Sequence, residues 1–518
     1  MVFDKKNKYL NILYYASIAV AFVLFAIVLY LCFFNSVWCD EVFSLEIVNG
    51  SYFDIIFNTA IDVHPPLYYF ILKIFTDIIS FFVPSVNVVM LSKIISISSL
   101  FILFYFSIFK LSKVIPKFVV AIMLLMIMSV SAILDFSVTI RMYGFAVLFV
   151  LISAYYLIKI IRYNQKKDWI KFVLFFELSA LTHYFALIAV GGMFVYLLIY
   201  TLVNRKQEFW NWYKYLFWAI IIFVPWLVVF VCQFAFVSGV GFWISAPNSN
   251  SILSFVSYAF GLEFLNLSNT LTFVTAIFVL AIYGLMFGFV CKSKEIDKNE
   301  KWIAASGMFV TIFLFFVGLT VSYIITPIFV ERYINAIFAV LCMSFAFVVY
   351  LFSKYYVCKW LMKLKISENL SLKIVLTAIV SLVSILATIN IVYAVKVERD
   401  NNEKYNYSLR FFEENKDSVF VCDYGRVQSV FEYSFDVSVE GIEDEDVSWW
   451  ENVTKISHKN YTIEEIKNIL KDGKTVIFLQ TTIDLAEFKK YNIEYNKLTE
   501  LNLESGDTVD VIKLSLGE

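Results

Sequence analysis

Long apolar runs separated by short polar connections occupy the first 396 residues of the chain. About 20 apolar residues in a helix cross the hydrocarbon core of a bilayer. Runs of roughly that length lie near residues 10–34, 88–109, 115–134, 139–161, 184–203, 215–236, 270–291, 302–325, 329–352 and 371–396. Two shorter runs, 66–82 and 169–182, cannot be assigned by length alone. The pattern predicts a polytopic α-helical membrane protein.

The pattern changes abruptly after Lys396, where the charged segment VERDNNEKYNYS begins. Short β-rich runs follow at 418–422, 475–479 and 508–514, and a capped amphipathic helix pattern covers 462–473. We therefore predict a transmembrane domain over 1–396 and a small soluble α/β domain over 397–518, joined by a charged linker.

Composition agrees with this division of the chain. Hydrophobic residues make up 60% of the sequence and charged residues 16%, whereas a soluble domain carries about 25% charged residues. The net charge of -1 provides no basic field for nucleic acid. The seven cysteines contain no CxxC pair, so neither a disulfide framework nor a zinc site is predicted.

Basic residues set the predicted orientation, because Lys and Arg accumulate in cytoplasmic connections. The basic segments are 4–8, 110–117, 162–171, 204–214, 291–301 and 353–365. The first external loop, 35–87, opens with a stretch to Pro65 that contains five acidic residues and neither Lys nor Arg. We expect the basic segments inside and this loop outside.

The number of membrane crossings must leave every basic segment on the cytoplasmic side, and this requirement assigns the two short runs. If 66–82 crossed the membrane, the basic segments 110–117 and 162–171 would lie outside, so we predict an interfacial helix on the outer surface. The stretch 169–203 must instead cross twice and reverse near His183. The prediction is a multi-pass cell-membrane protein of about eleven spans, with a cytoplasmic N-terminus and an extracytoplasmic C-terminal domain.

Ionisable residues concentrate at the predicted outer ends of the spans. They are Asp40, Glu41, Asp62, His64, Asp135, Arg141, His183, Glu263, Glu331 and Arg332. Ionisable groups near lipid are functional candidates, although any one of them could be an interfacial anchor. Their clustering favours a site at this face.

Each motif offers chemistry to that site. Adjacent Asp40 and Glu41 provide one carboxylate to accept a proton and a neighbour to orient it. Pro65 and Pro66 fix an extended turn and start a helix, which presents Asp62 and His64.

Three further motifs offer groups for an anionic ligand. TIRMYGF and ERYINAIF place Arg141 beside Tyr143 and Arg332 beside Tyr333, and a guanidinium binds phosphate bidentately. LTHYFAL places His183 and Tyr184 in an apolar segment, where the histidine can orient a substrate, donate to phosphate or merely pair with a backbone carbonyl.

Taken together, W-x-DE-x-x-S (Trp38 to Ser44), D-x-HPPLYY, RMY, HY and RY resemble the GT-C membrane glycosyltransferases. More narrowly, they resemble the bacterial glycosyltransferase family 39 and protein mannosyltransferase group, over roughly residues 10–350. The resemblance implies a GT-C fold and inverting transfer of a sugar from a polyprenyl-phosphate carrier to a protein, lipid or glycan acceptor on the outer face.

The resemblance also implies roles for the motif residues. Asp40 would be the general base that deprotonates the acceptor, with Glu41 assisting. The donor phosphate and substrate would be bound by Asp62, His64, Arg141, Tyr143, His183, Tyr184, Arg332 and Tyr333. The lipid-linked sugar is the expected co-substrate. Asp135 and Glu263 are loose candidates for a divalent metal ion, so no metal ligand is assigned and metal dependence stays open.

Other classes compete with this interpretation. A transporter or flippase of lipid-linked glycans would also have polar groups at membrane depth, but it should show inverted repeats, which this sequence lacks. A receptor acting through the C-terminal domain would leave the DE, HPP and RY motifs unexplained. An oligosaccharide polymerase or ligase differs only in moving a preassembled chain, and the sequence does not separate it from a transferase of single sugars.

Overall fold

The computed structural model describes residues 8–34, 37–240, 244–442, 459–502 and 508–517. Residues 4–7 of the basic N-terminal segment lie outside this set. In chain order the helices before the C-terminal sheet are α1 (Lys8–Leu31), α2 (Cys39–Asn49), α3 (Tyr52–Ile61), α4 (Leu67–Phe82), α5 (Val88–Phe109), α6 (Lys117–Met128), α7 (Ile133–Ser137), α8 (Tyr143–Tyr163), α9 (Lys166–Ala180), α10 (Tyr184–Asn204), α11 (Phe209–Val240), α12 (Ser249–Phe260), α13 (Asn269–Lys292), α14 (Lys298–Ile324), α15 (Phe338–Phe352), α16 (Cys358–Lys363) and α17 (Glu368–Glu414).

Nine of the helices in the described residues are long and apolar enough to cross a membrane, which confirms the predicted helical membrane architecture. They are α1, α5, α8, α10, α11, α13, α14, α15 with its flanking turns, and α17. Helices α6 and α9 contain 12 and 15 residues, or about 18 and 22 Å at 1.5 Å per residue. Both occupy positions where the sequence predicts a span, and their crossing stays a prediction.

Helix α4 covers the run predicted to lie on the outer surface. Its exposed side chains include Phe75, Ile78 and Phe81, whereas Lys73 and Thr76 are buried. Apart from Asp77, which is also exposed, the outward face is apolar, as expected for a helix that lies against lipid.

The chain forms two compact units. The first contains the chain up to Tyr30, Val63–Tyr68 and Ile95–Ala394, and the second contains Leu31–Asp62, Tyr69–Ile94 and the chain from Val395 onward. The second unit thus joins most of the predicted first external loop to the C-terminal residues. The division into domains at residue 396 stays a prediction.

Within the first unit, α6 is apolar on every side and is accordingly buried. It packs against α15, which also packs against α14. A Cβ added to Gly307 of α14 would lie 2.0 Å from the carbonyl oxygen of Val340. Glycine is therefore needed for this close approach, which fixes the helix that follows the Arg332 and Tyr333 turn.

The C-terminal residues form a six-stranded sheet of order β3-β2-β1-β4-β6-β5. The strands are β1 (Val419–Cys422), β2 (Val439–Ile442), β3 (Asn460–Tyr461), β4 (Val476–Gln480), β5 (Ile493–Asn502) and β6 (Thr508–Leu516), with helices α18 (Gly425–Phe435), α19 (Ile463–Lys471) and α20 (Ala486–Lys490). Strands β3, β2, β1 and β4 are parallel, and β6 and β5 add antiparallel. The predicted α/β character is confirmed.

A buried carboxylate ties two parallel strands together in this sheet. Asp423 follows β1 and accepts hydrogen bonds from the backbone N–H groups of Thr481, Thr482 and Ile483 at 2.9, 2.7 and 2.6 Å. These residues follow β4, so Asp423 links the loops at the carboxyl ends of the neighbouring strands β1 and β4. Full burial of the carboxylate is tolerated because it is hydrogen-bonded on both oxygens.

The segment expected to be a charged linker is helical. Helix α17 runs without interruption from Glu368 to Glu414, and Arg399 pairs with Glu403 one turn later at 3.6 Å. The charges that suggested a linker instead form the solvated surface of a helix.

Candidate active site

His64 is brought into the first unit by the turn that starts α4. The backbone N–H of Leu67 donates to the carbonyl of Leu181 at 3.0 Å, which fastens this turn to the one between α9 and α10. A guanidinium nitrogen of Arg141, just before α8, lies 3.3 Å from Nε2 of His64. Because a guanidinium can only donate, Nε2 of His64 is the acceptor in this contact.

His183 occupies the middle of the cluster and caps the N-terminus of α10. Its Nδ1 accepts from the backbone N–H of Phe185 at 3.2 Å, so a neutral ring carries its proton on Nε2. Ring centroids of Tyr333, Tyr143 and His64 lie 5.1, 5.6 and 6.4 Å from that of His183. Sequence motifs separated by up to 269 positions, from His64 to Tyr333, therefore meet at one point.

Burial and the surrounding groups together disfavour the charged form of His183. Burial is the largest effect and lowers its pKa well below the ordinary value, and the electrostatic effects of His64, Arg141 and Arg332 lower it further. At neutral pH the imidazole is a hydrogen-bond donor without net charge, set among two fixed guanidinium charges. The cluster offers an anion several donors and two positive charges.

Tyr184 points its hydroxyl toward α11. It donates to the side-chain oxygen of Gln233 and accepts from the indole N–H of Trp226 at 3.1 Å. Through these contacts Tyr184 connects α10, the helix that His183 caps, to α11.

An acidic edge in the same unit contains Asp135 and Glu263. The hydroxyl of Tyr258 lies 3.1 Å from Asp135 and 2.7 Å from the side-chain oxygen of Asn335. Asp135 reaches solvent, yet surrounding protein raises its pKa, while the Tyr258 hydrogen bond and the Arg332 charge lower it.

Glu263 shares this electrostatic environment. Burial is the largest effect that raises the pKa of Glu263, and the charges of Asp135 and Glu331 raise it further. No group of three or more His, Cys, Asp or Glu side chains arranged to hold a metal ion occurs among the described residues.

The predicted acids Asp40 and Glu41 lie in the first turn of α2, in the second unit. Glu41 is 2% exposed, and its carboxylate accepts from the backbone N–H of Trp38 at 3.2 Å. Glu41 thus caps α2 and fixes its start, whereas Asp40 is half-buried. Asp62 ends α3, and its own N–H donates to the carbonyl of Asn58 at 3.0 Å.

Sequence reasoning missed two buried lysines of the second unit. Lys93, 4% exposed, donates to the carbonyl of Phe34 at 3.0 Å. Lys73, 8% exposed, donates to the carbonyl of Val48 at 3.1 Å and to Asp77 at 3.2 Å. Both hold the backbone that flanks α2, and the available signal was a lysine inside an apolar run.

A separate cavity of about 630 Å³ lies at the other end of α15. Its lining includes Lys294, Lys359, Lys363, Tyr356 and Trp360. Basic and aromatic residues are typical of a membrane interface, and this end of the bundle carries the predicted cytoplasmic connections.

Comparison with known proteins gives a family match and a fold match. Residues 63–229 match the family model described as dolichyl-phosphate-mannose-protein mannosyltransferase. The fold is similar to that of ArnT from Cupriavidus metallidurans in the apo state, with a TM-score of 0.59, 10% sequence identity, and coverage of 96% of this chain and 97% of that chain.

The same ArnT bound to undecaprenyl phosphate matches with a TM-score of 0.56, at the same identity and coverage. No curated protein sequence matches the chain. The resemblance expected from the motifs is confirmed by the family match and by the fold.

Proposed function

Taking its GT-C glycosyltransferase fold and mannosyltransferase family match as the premise, we propose that this chain is an inverting glycosyltransferase. It transfers a sugar from a polyprenyl-phosphate-linked donor to a protein, lipid or glycan acceptor on the outer face of the membrane.

The observation that carries the proposal is the cluster around His183. Arg141 is buried, and the rings of Tyr143, Tyr333 and His64 all lie close to the ring of His183. As the bond to the sugar breaks, negative charge develops on the phosphate, and preorganised donors in a low-dielectric site stabilise it. Arg332 adds a second guanidinium, and both suit bidentate binding of phosphate oxygens.

Asp40 supplies the base in this proposal. Its position in the first turn of α2 favours a negative charge, and Glu41 is engaged in capping the helix. The acceptor hydroxyl attacks the anomeric carbon from the face opposite the phosphate while its proton passes to Asp40. The new C–O bond forms as the C–O bond to the phosphate breaks, so the configuration at the sugar inverts.

Two relatives support the donor class. The matching family is named for a dolichyl-phosphate-mannose donor, and ArnT has been crystallised with undecaprenyl phosphate. We propose that the sugar donor of this protein is likewise linked to a polyprenyl phosphate, and we do not assign the sugar.

The test is transfer of radiolabelled sugar from a panel of polyprenyl-phosphate donors by the purified chain in proteoliposomes. Asp40→Asn should lower kcat by about 100- to 10,000-fold, the usual contribution of a general base, and leave donor binding intact. The exposed acid Glu494 of β5 provides the control, since Glu494→Gln should transfer at the wild-type rate.

Undiminished transfer by a folded Asp40→Asn variant would remove Asp40 from this role. Retention of the donor's anomeric configuration in the product, read by NMR, would contradict inversion. Absence of transfer by the wild-type chain from every donor would refute the proposed function and favour a flippase of lipid-linked glycans.

A further inference from the structure

The acid-bearing helix α2 contains a third carboxylate, which the proposed reaction does not use. Glu46 lies in the middle of α2 and is 2% exposed. The hydroxyl of Tyr433, in α18 of the C-terminal sheet domain, donates a hydrogen bond to this carboxylate. Helix α18 packs against α2 within the second unit, so this contact forms part of a helix–helix interface.

Burial makes the Tyr433 hydrogen bond consequential. A carboxylate withdrawn from water is unfavourable unless donors satisfy it. Burial raises the pKa of Tyr433, and the charges of Glu46 and Glu432 raise it further. The hydroxyl therefore keeps its proton and remains a donor at neutral pH.

Helix α2 is held at both ends by other contacts. Glu41 caps its N-terminus through the N–H of Trp38. Lys73 donates to the carbonyl of Val48 at the C-terminus, where a positive charge suits the helix dipole. These contacts fix where the helix starts and stops, whereas Tyr433 acts on its middle and can set its rotation about the axis.

Tyr433 is itself on a rigid element. The ring of Phe435 lies 5.1 Å from that of Phe412 at the end of α17, and the hydroxyl of Tyr405 donates to the carbonyl of Ser434 at 2.7 Å. Helix α18 is therefore braced by α17 on one side and contacts α2 on the other.

We propose that Tyr433 is a positioning residue, through which the C-terminal domain orients α2 and thereby the base Asp40. The inference rests on the proposed function and goes beyond it, because it gives the C-terminal domain a part in catalysis that does not depend on acceptor binding.

Steady-state transfer by Tyr433→Phe in proteoliposomes is the first measurement. Loss of the hydroxyl should lower kcat about tenfold per folded molecule and leave the KM for the donor within twofold, because the donor contacts lie on other residues. Tyr407→Phe is the matched control. It removes another tyrosine hydrogen bond of the same unit, between the hydroxyls of Tyr407 and Thr499 at 2.7 Å, and should transfer at the wild-type rate.

A double variant distinguishes positioning from general damage. Replacing both partners by apolar groups removes the buried carboxylate together with the tyrosine hydroxyl, so Glu46→Leu with Tyr433→Phe should fold at least as well as Tyr433→Phe. It should keep the low kcat, since the orienting bond is absent. The single variant Glu46→Gln, which still accepts from Tyr433, should keep kcat within threefold of wild type.

Hydrogen exchange over residues 39–49 gives a readout that does not need activity. Tyr433→Phe should speed exchange there at least tenfold, and Tyr407→Phe should not. Unchanged exchange, or faster exchange with an unchanged kcat, overturns the positioning role. Faster exchange in a chain whose wild type transfers no sugar would instead refute the proposed function, while the contact between Tyr433 and α2 would stand.

Discussion

His183 stays uncharged first because it is buried and then because the groups around it would repel its positive form. Arg141 and Arg332 carry fixed charges, and the ring is 3% exposed. Its Nδ1 is occupied by the N–H of Phe185, which directs the remaining proton to Nε2. A phosphate oxygen would receive a neutral donor from His183 and charged donors from the arginines, so the arginines carry most of the electrostatic binding energy.

Arg141→Lys should weaken donor binding about 10- to 100-fold. Lysine keeps the charge but loses the planar fork, and a hydrogen bond to a charged group contributes about 1.5–3 kcal/mol. Isothermal titration with undecaprenyl phosphate in detergent measures the effect. Arg162→Lys, at the other end of α8 and paired with Glu300 at 2.7 Å, is the control and should bind normally. Equal affinity of the two variants would contradict the role of Arg141.

His183 should make the folded chain less stable at acid pH. In the folded chain its pKa lies below the ordinary value of 6.5. Below about pH 6.5, His183 therefore binds a proton in the unfolded chain but not in the folded chain. Stability therefore falls as pH decreases through 6.5 toward the folded pKa, by up to about 1.4 kcal/mol per pH unit. Thermal unfolding in detergent from pH 7.5 to 5 should show a shallower decline for His183→Gln. Parallel curves for variant and wild type would contradict the assignment.

Among the elements, α17 differs most from its expected form. Apolar residues end near Lys396, where the sequence pattern predicts a linker, but the backbone continues as a helix to Glu414. Phe412, at its far end, is part of the core beside Phe420 and Phe431. Because Phe412 is packed in this core, the chain between Lys396 and Glu414 stays helical, although its polar composition alone would predict a solvated linker.

Lys404→Pro should disrupt α17 and loosen the C-terminal core. Lys404 is exposed, so proline acts only through the backbone, where it costs about 3 kcal/mol in a helix interior. Limited proteolysis with proteinase K should cut near residue 404 at least tenfold faster than in wild type. Lys404→Ala should resist cleavage like the wild-type chain. Equal cleavage of the proline and alanine variants would indicate a linker.

At the scale of the whole molecule, the distribution of basic connections predicts which end of the bundle faces the cytoplasm. The cluster around His183 precedes α10, and the Arg332 turn precedes α15, whereas the basic connections follow α8, α13 and α15. The site and the basic connections are therefore at opposite ends of the same spans.

Protease protection tests that orientation. Proteinase K added to intact spheroplasts should remove an epitope tag placed after the C-terminal domain and leave an N-terminal tag intact. In inverted membrane vesicles the N-terminal tag should be lost and the C-terminal domain protected. The reverse pattern would place the His183 cluster on the cytoplasmic side and exclude the proposed reaction on the outer face.

Local signals explain what could be predicted from the sequence. Apolar runs of span length and the three predicted strands depend on neighbouring residues, and the structure contains helices and strands there; strands β2, β3 and β5 were not predicted. His64, Arg141 and His183 were identified by motif, and the structure brings them together. Their roles remain proposals.

Long-range contacts explain what the sequence left hidden. Tyr258 reaches Asp135 across 123 positions, and Lys93 reaches Phe34 across 59. Neither contact leaves a periodic or local trace, because the partner depends on how distant helices pack. The Tyr433 contact with α2 belongs to the same class.

The carboxylate of Asp423 has a consequence for what the C-terminal sheet can recognise. Parallel sheets of this order commonly receive a nucleotide between the two central strands, with phosphate bound by backbone N–H groups beyond their carboxyl ends. Here those N–H groups, from Thr481, Thr482 and Ile483, are already occupied by an internal anion. An incoming phosphate at this position would therefore meet a fixed negative charge and would have to compete with Asp423 for the same three donors.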